Sequence, residues 1–144
     1  MAAALLDASL VALLALVTIS DLRTRQIPDR PLAASLGLTV MICAFAAPYE
    51  LPERLVAGTG AAGFLLAAAL IRPDGMGLGD VKLAGVIGVC LGAGVLIAMI
   101  VAFASGSVIG LGVIVRRGWD ARSHTIPFAP CLALGALVAM ALRI

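Results

Sequence analysis

The sequence predicts an all-α membrane protein, a bundle of six transmembrane helices. Hydrophobic residues make up 62% of its 144 residues, charged residues make up 12%, and the mean hydropathy is +1.16. A soluble domain carries about 25% charged residues. The apolar residues also form long runs, and a helix of about 20 such residues spans a bilayer. We therefore expect a single membrane domain over residues 1–144, with its helices packed in lipid.

Polar segments divide the chain into apolar runs, each of which predicts one or two helices. The runs cover residues 3–20, 32–47, 55–71, 83–115 and 126–142. The run at 83–115 exceeds the range of about 17–25 residues for one span. Gly92-Ala93-Gly94 offers a break that would split it into two, the first of them short. The run at 32–47 is short as well, which implies local thinning of the bilayer or tilted neighbours. Five helices are the alternative, if 83–115 is one tilted span.

The distribution of basic residues predicts the orientation. The loops after the first, third and fifth helices hold eight of the ten Lys and Arg residues: Arg23, Arg25, Arg30, Arg72, Lys82, Arg116, Arg117 and Arg122. Only Arg54 and Arg143 fall on the opposite side. Basic loops stay in the cytoplasm, so both termini are expected on the non-cytoplasmic side. Six helices fit this pattern better than five, because five would place two of the basic loops on opposite faces.

Small residues at four-residue spacing predict where the helices pack closely. The chain has 16 glycines, and such spacings include Gly88 with Gly92, Gly106 with Gly110, and Gly60 with Phe64, which is flanked by Ala61 and Ala67. Small side chains let backbones approach, which is a main source of helix association in lipid.

Two aspartates mark the ends of apolar runs on the face predicted to be cytoplasmic. Asp21 follows the first run, and Asp80 lies in Gly75-Met76-Gly77-Leu78-Gly79-Asp80-Val81-Lys82-Leu83. An ionisable residue at membrane depth is costly and is functional by default. Alone, Asp80 is equally well interpreted as a helix N-cap, and Asp21 as a solvated carboxylate. The three glycines before Asp80 favour function, because they allow tight turns and leave a groove for another chain.

As a pair, the two aspartates suit general acid–base hydrolysis. Two close carboxylates do not both ionise easily, so one activates water while the other supplies a proton. This chemistry requires no metal and no other cofactor. The sequence has neither a GxSxG nor an HExxH motif, and His124 is its only histidine. These facts disfavour a serine or zinc protease.

The remaining polar and sulfur-containing residues have structural interpretations. Lys82 is interpreted as a helix-end cation at the membrane interface. An electrostatic effect of Lys82 on Asp80 is the alternative. Asp29, after Ile27-Pro28, is interpreted as a cap or a solvated charge at the start of the second helix. The cysteines are interpreted as small buried hydrophobes: Cys43, Cys90 and Cys131. No basic patch interleaved with aromatic residues indicates a nucleic-acid partner.

Three segments make the chain resemble the type IV prepilin peptidases, aspartic proteases of the GxGD type, and especially the short forms that process Flp-like pilins. They are Asp21 with Ile27-Pro28, the run Gly77–Leu83, and Ile126-Pro127-Phe128-Ala129-Pro130. The resemblance implies catalysis by Asp21 and Asp80. It also implies a substrate cleft formed by Gly75, Gly77, Gly79, Lys82, Ile27, Pro28, Ile126, Pro127 and Phe128.

The resemblance further implies the reaction and its location. The enzyme would cut the leader from a prepilin or pseudopilin, between a basic segment and a hydrophobic helix, with its active site facing the cytoplasm. It would be a multi-pass protein of the bacterial inner membrane, with the bilayer as its other partner. Longer family members carry a cytoplasmic insert with paired CxxC motifs and methylate the new N-terminus. This sequence has neither insert nor motif, so methyltransferase activity is not expected. Asp29 and Ala129 stand where Asn and Gly are common, which bears on substrate preference.

Other functions remain open from the residues alone. One is a small transporter or channel subunit that uses the two carboxylates for proton or cation coupling. Both acids fall on one face, however, whereas transporter sites lie near the midplane. A non-catalytic subunit of pilus assembly is a further possibility. The preflagellin peptidases of archaea share the logic of the GxGD site.

Overall fold

The fold is seen in a computed structural model that describes residues 2–24, 29–71, 77–117 and 128–142. Its α-helices are α1 (Ala2–Thr24), α2 (Asp29–Ala46), α3 (Leu51–Ile71), α4 (Leu78–Leu91), α5 (Val95–Arg117) and α6 (Ala129–Leu142). A short 3-10 turn separates α4 from α5, and no strand occurs within the described ranges. The all-α prediction is confirmed.

Four segments of the described chain are long and apolar enough to cross a membrane. They are Leu5–Arg23, Asp29–Ala46, Leu51–Ile71 and Leu78–Arg116, the last of which contains both α4 and α5. Helices α4 and α6 have 14 residues each. A helix of that length rises about 21 Å, less than the ~30 Å hydrocarbon core. The four long apolar segments make the protein an integral membrane protein. The count of six spans and the orientation stay predictions, because α4 and α6 are short.

The long apolar run breaks at Gly92, where the sequence predicted a break. The 3-10 turn covers Gly92–Gly94, and Gly92 has φ +58° and ψ −132°. Side chains rarely tolerate this backbone conformation, whereas glycine adopts it readily. The Gly92 N–H donates to the Gly88 carbonyl and so closes α4. Beyond the turn, α5 packs mainly on α6 rather than back on α4.

Helices α3 and α4 pack closely, and their packing depends on two glycines. A Cβ at Gly88 of α4 would lie 2.6 Å from the Cα of Gly58 in α3. The two backbones are therefore in direct contact, as small residues allow in lipid. The predicted packing role of Gly60 is wrong, because nothing lies within 4 Å of a Cβ built there. Its neighbour Ala61 is buried instead.

Helix α4 is the centre of the core. It contacts α1, α2, α3 and α6, and the side chains it buries include Leu83 and Ile87. Other almost fully buried side chains come from the surrounding helices: Leu10, Val17, Leu65 and Leu132. The outward faces carry exposed apolar side chains such as Phe45 and Val115, as expected of surfaces in contact with lipid. The position of α4 matters for the site, because its first turn carries Asp80.

Arg54 near the start of α3 is one of the two basic residues predicted on the non-cytoplasmic side, and the structure shows its local partners. Its guanidinium forms an ion pair with Glu50 at 2.8 Å. It also donates a hydrogen bond to the carbonyl of Cys90, in the last turn of α4. Cations stabilise helix C-termini, so Arg54 ties α3 to the end of α4.

The cysteine prediction is confirmed. The thiols of Cys43, Cys90 and Cys131 are free, and all three residues are buried. The Cys90 sulfur lies 3.2 Å from the Thr39 hydroxyl, a contact that joins α2 to α4.

Candidate active site

The C-terminal turn of α1 and the N-terminal turn of α4 bring Asp21 and Asp80 to one place. Asp21 is 7% exposed and Asp80 is 9% exposed. The two carboxylates lie close enough to repel each other when both are charged. The chain thus buries two like-charged groups together at helix ends. That arrangement is costly unless the groups share a proton.

Asp80 is not the N-cap of α4, so that interpretation is wrong. Gly77 occupies the cap position, and the Asp80 N–H donates to the Gly77 carbonyl at 3.1 Å. Asp80 is the third residue of the helix, after Leu78 and Gly79. A carboxylate in the first turn still interacts favourably with the helix dipole. Its position in the helix fixes the backbone of Asp80 and leaves the carboxylate to face Asp21.

Gly77 contributes space beside Asp80 rather than an unusual backbone conformation. It has φ −79° and ψ 149°, an extended conformation open to any residue. A Cβ built there would lie 3.7 Å from Oδ2 of Asp80. The expected tight turn is therefore not required at Gly77. Since Gly77 is exposed, its missing side chain leaves the Asp80 carboxylate approachable from that side.

Asp21 lies within α1 rather than after it. The helix continues to Thr24, so the side chain of Asp21 projects from the last turn. Arg23, two residues later, is exposed. The predicted solvated carboxylate is wrong for Asp21, because the residue is buried. The C-terminal end of α1 and the N-terminal end of α4 therefore meet at the aspartate pair.

Lys82 makes an ion pair that the sequence analysis missed. Its ammonium lies 2.7 Å from Oδ1 of Asp29, the first residue of α2. The Lys82 side chain is 55% exposed and that of Asp29 is 71% exposed. A surface pair of this kind contributes only about 0–1 kcal/mol, so it orients the two side chains more than it stabilises the fold. The sequence did show two opposite charges near helix starts, Asp29 in α2 and Lys82 in α4, which could have indicated this pair.

Phe128 makes its contacts with α5. Its carbonyl accepts the N–H groups of Cys131 and Leu132, which starts α6. Its ring centroid lies 5.5 Å from that of Phe103. A Cβ at Gly106 would lie 3.3 Å from the ring, so this glycine makes room for it. These contacts seat the start of α6 on α5, and the role of Phe128 in the cleft stays a prediction.

The other predicted cleft residues fall into two groups. Gly79 is in the first turn of α4, directly before Asp80. The rest lie outside the described residues, so their roles stay predictions: Ile27, Pro28, Gly75, Ile126 and Pro127.

A helical membrane protein with two buried carboxylates at meeting helix ends fits the class of membrane aspartic peptidases. The chain belongs to the type IV leader peptidase family, whose model matches residues 8–115, a stretch that contains both aspartates. The resemblance noted in the sequence is confirmed, and family membership weighs against the transporter interpretation.

The chain is also similar to one curated protein of this family. The chain is 34% identical over 143 residues to the prepilin leader peptidase/N-methyltransferase of Bacillus subtilis (strain 168), an alignment that covers 90% of this chain and 52% of that protein. The chain thus spans about half the length of this curated relative. No solved structure matches the chain.

Proposed function

We propose that this protein is a membrane aspartic endopeptidase that removes the leader peptide of type IV, Flp-like prepilins at the cytoplasmic membrane boundary. The observation that carries the proposal is the buried pair of Asp21 and Asp80, in a chain of the type IV leader peptidase family. The B. subtilis relative bears the name of a prepilin leader peptidase, which supports the same reaction here.

The mechanism follows from a shared proton. In the active form one carboxylate of the pair is ionised and the other is protonated. The ionised carboxylate takes a proton from water, whose oxygen attacks the scissile carbonyl carbon. The protonated carboxyl donates its proton to the developing oxyanion. The first carboxyl then passes the proton that it took from water to the leaving amine as the peptide bond breaks. The new carboxylic acid product returns one hydroxyl proton to the second carboxylate, which restores the pair. Burial keeps water from screening these charges, so each interaction with the transition state is strong.

The proposal includes a topology. All six helices span the inner membrane, both termini lie outside the cytoplasm, and the aspartate pair faces the cytoplasm. Arg23 in the last turn of α1 and Lys82 in the first turns of α4 lie at the same helix ends as the pair, which supports this orientation. The short helices α4 and α6 are accommodated by thinning of the bilayer around the site.

We assign the peptidase activity alone to this chain. The name of the relative also includes an N-methyltransferase, but paired CxxC motifs do not occur in this sequence. We therefore expect the mature N-terminus released by this protein to carry no methyl group. Mass spectrometry of the product formed in the presence of S-adenosylmethionine tests this, and a methylated product would contradict it.

The pair is tested by cleavage of a reconstituted precursor with a basic leader and one apolar helix. Asn retains the size of Asp and removes its acid–base capacity. Asp21→Asn and Asp80→Asn should therefore each lower kcat/KM at least about 100-fold, the scale of acid–base catalysis. Asp7→Asn, at the other end of α1 where the side chain is exposed, serves as the matched control and should cleave normally. If both site variants cleave at the wild-type rate, the assignment of the pair is wrong.

A further inference from the structure

A groove runs along the membrane-facing side of α4, between α2 and α3. It encloses about 580 Å³ and is almost wholly apolar. Leu36 of α2 and Leu55 of α3 form parts of its walls, and Gly85 and Val86 of α4 form its floor. Helices α2 and α3 both pack on α4 but make only slight contact with each other. The groove is therefore open towards lipid along its length.

The groove begins beside the aspartate pair. Its lining includes Val81 and Lys82, the two residues that follow Asp80, together with Asp29. At its other end it reaches Val89. Eight residues of helix rise about 12 Å, so the groove leads from the site well into the bilayer.

We propose that this groove holds the apolar helix of the prepilin during cleavage, an inference that rests on the peptidase function proposed above. The bond to be cut joins a basic leader to an apolar helix. When that bond is at the aspartate pair, the helix has to leave the site within the membrane. The groove is an apolar path that starts there, and the exposed Ala33 on its α2 wall leaves room for close approach of a second helix.

The charge at the mouth of the groove suits such a substrate. Asp29 is 71% exposed, and only its Oδ1 contacts Lys82 in the ion pair. A carboxylate accepts several donors, so a basic side chain of the leader has an anion to bind beside the site. Lys82 at the same mouth would attract a lipid phosphate, so charge alone does not select the occupant. The position of the groove selects it, because the groove starts beside the aspartate pair, where the bond between the leader and the apolar helix has to lie.

A larger groove elsewhere does not serve this purpose. It encloses about 850 Å³ between α3 and α5 and includes Glu53 in the first turn of α3. Glu53 lies at the N-terminal end of α3, whereas the chain continues towards Asp80 from the C-terminal end of that helix. A helix seated there would have no direct path to the aspartate pair.

Photo-cross-linking tests the occupant. Benzoylphenylalanine is placed at Leu36, in the groove, or at Leu38, which is outside it; the two leucines are 37% and 39% exposed. Asp80→Asn protein, which holds precursor without cutting it, is the background for both. We expect at least about ten times more cross-linked precursor from position 36 than from position 38. Equal yields, or adducts of lipid alone at position 36, would overturn the proposal.

Blocking the groove gives a second readout that separates this inference from the proposed function. Ala33→Trp fills the groove, whereas Ala34→Trp places the same indole on an exposed position outside it. Ala33→Trp should raise KM for the helix-bearing precursor about tenfold, and Ala34→Trp should not change it. If wild type cleaves and the two variants cleave alike, the groove is not the docking site and the peptidase function stands. If wild type cleaves no precursor, the proposed function fails and this inference fails with it.

Discussion

Replacing Gly88 by alanine tests whether backbone contact between α3 and α4 stabilises the helix bundle. A Cβ at this position would lie 2.6 Å from the Cα of Gly58 and 2.9 Å from the carbonyl oxygen of Ala57. Carbon atoms in contact normally keep about 3.5–4.0 Å between them. The added methyl group meets backbone atoms, which cannot rotate away as a side chain would. The two helices therefore have to move apart by about 1 Å.

The cost of this separation is set by the contacts that it loosens. A gap of about 0.5–1 Å removes a quarter to a half of the dispersion energy of each affected atom pair. Overpacked interiors typically lose about 1–3 kcal/mol of unfolding free energy. For a chain of this size, 1 kcal/mol shifts the melting temperature by about 2–4 °C. We therefore expect Gly88→Ala to melt about 2–12 °C below wild type.

The assay is thermal unfolding of the purified protein in detergent, followed by the loss of monodisperse protein. Gly63→Ala in α3 is the matched control, because nothing lies within 4 Å of a Cβ at that position. Its melting temperature should equal or slightly exceed that of wild type, since alanine favours a helix over glycine. The reasoning is refuted if Gly88→Ala and Gly63→Ala melt at the same temperature.

Three further predictions concern the site and the turn after α4. Gly77→Ala should fold normally, because φ at this position is −79°. It should lower kcat/KM, because the added methyl group stands beside the exposed approach to Asp80. Activity equal to wild type would show that substrate does not use this approach. Gly92→Ala, with φ +58°, should lose about 1–3 kcal/mol of stability, seen as a lower melting temperature than that of wild type. The pH profile of kcat/KM should be bell-shaped, because acid adds a second proton to the pair of Asp21 and Asp80 and alkali removes the shared one. A flat profile from mildly acidic to alkaline pH would contradict the shared-proton mechanism.

The sequence predicted the helices well because they coincide largely with the apolar runs, which are separated by polar residues or, between α4 and α5, by Gly92–Gly94. The break at Gly92 was predictable because the run 83–115 exceeds the usual length of one span and Gly92-Ala93-Gly94 offers a break, with one tilted span as the alternative. The position of Asp80 within its helix was not predictable in this way. Both Gly77 and Asp80 are acceptable cap residues, and the choice depends on where the first turn packs.

The sequence also did not show which glycines lie at contacts between helices. In a soluble protein the buried face of a helix is apolar and the other face is polar. Here lipid is as apolar as the protein interior, so Gly58 and Gly60 give the same local signal. Only the structure shows that Gly58 contacts α4 while Gly60 has open space around it. The Lys82–Asp29 ion pair was missed for a related reason, because it needs α2 and α4 to be neighbours.

The contribution of one aspartate by α1 and the other by α4 has a consequence for biogenesis. In the proposed peptidase, a nascent chain has no catalytic pair until α4 has entered the membrane and packed against α1. The nascent chain is therefore inert at least until α4 has been made, and proteolytic activity arises only with correct assembly of α1 and α4. If the gene were divided at the exposed turn around Tyr49, between α2 and α3, each fragment would hold one aspartate of the pair. Activity would return only when both fragments meet in the same bilayer.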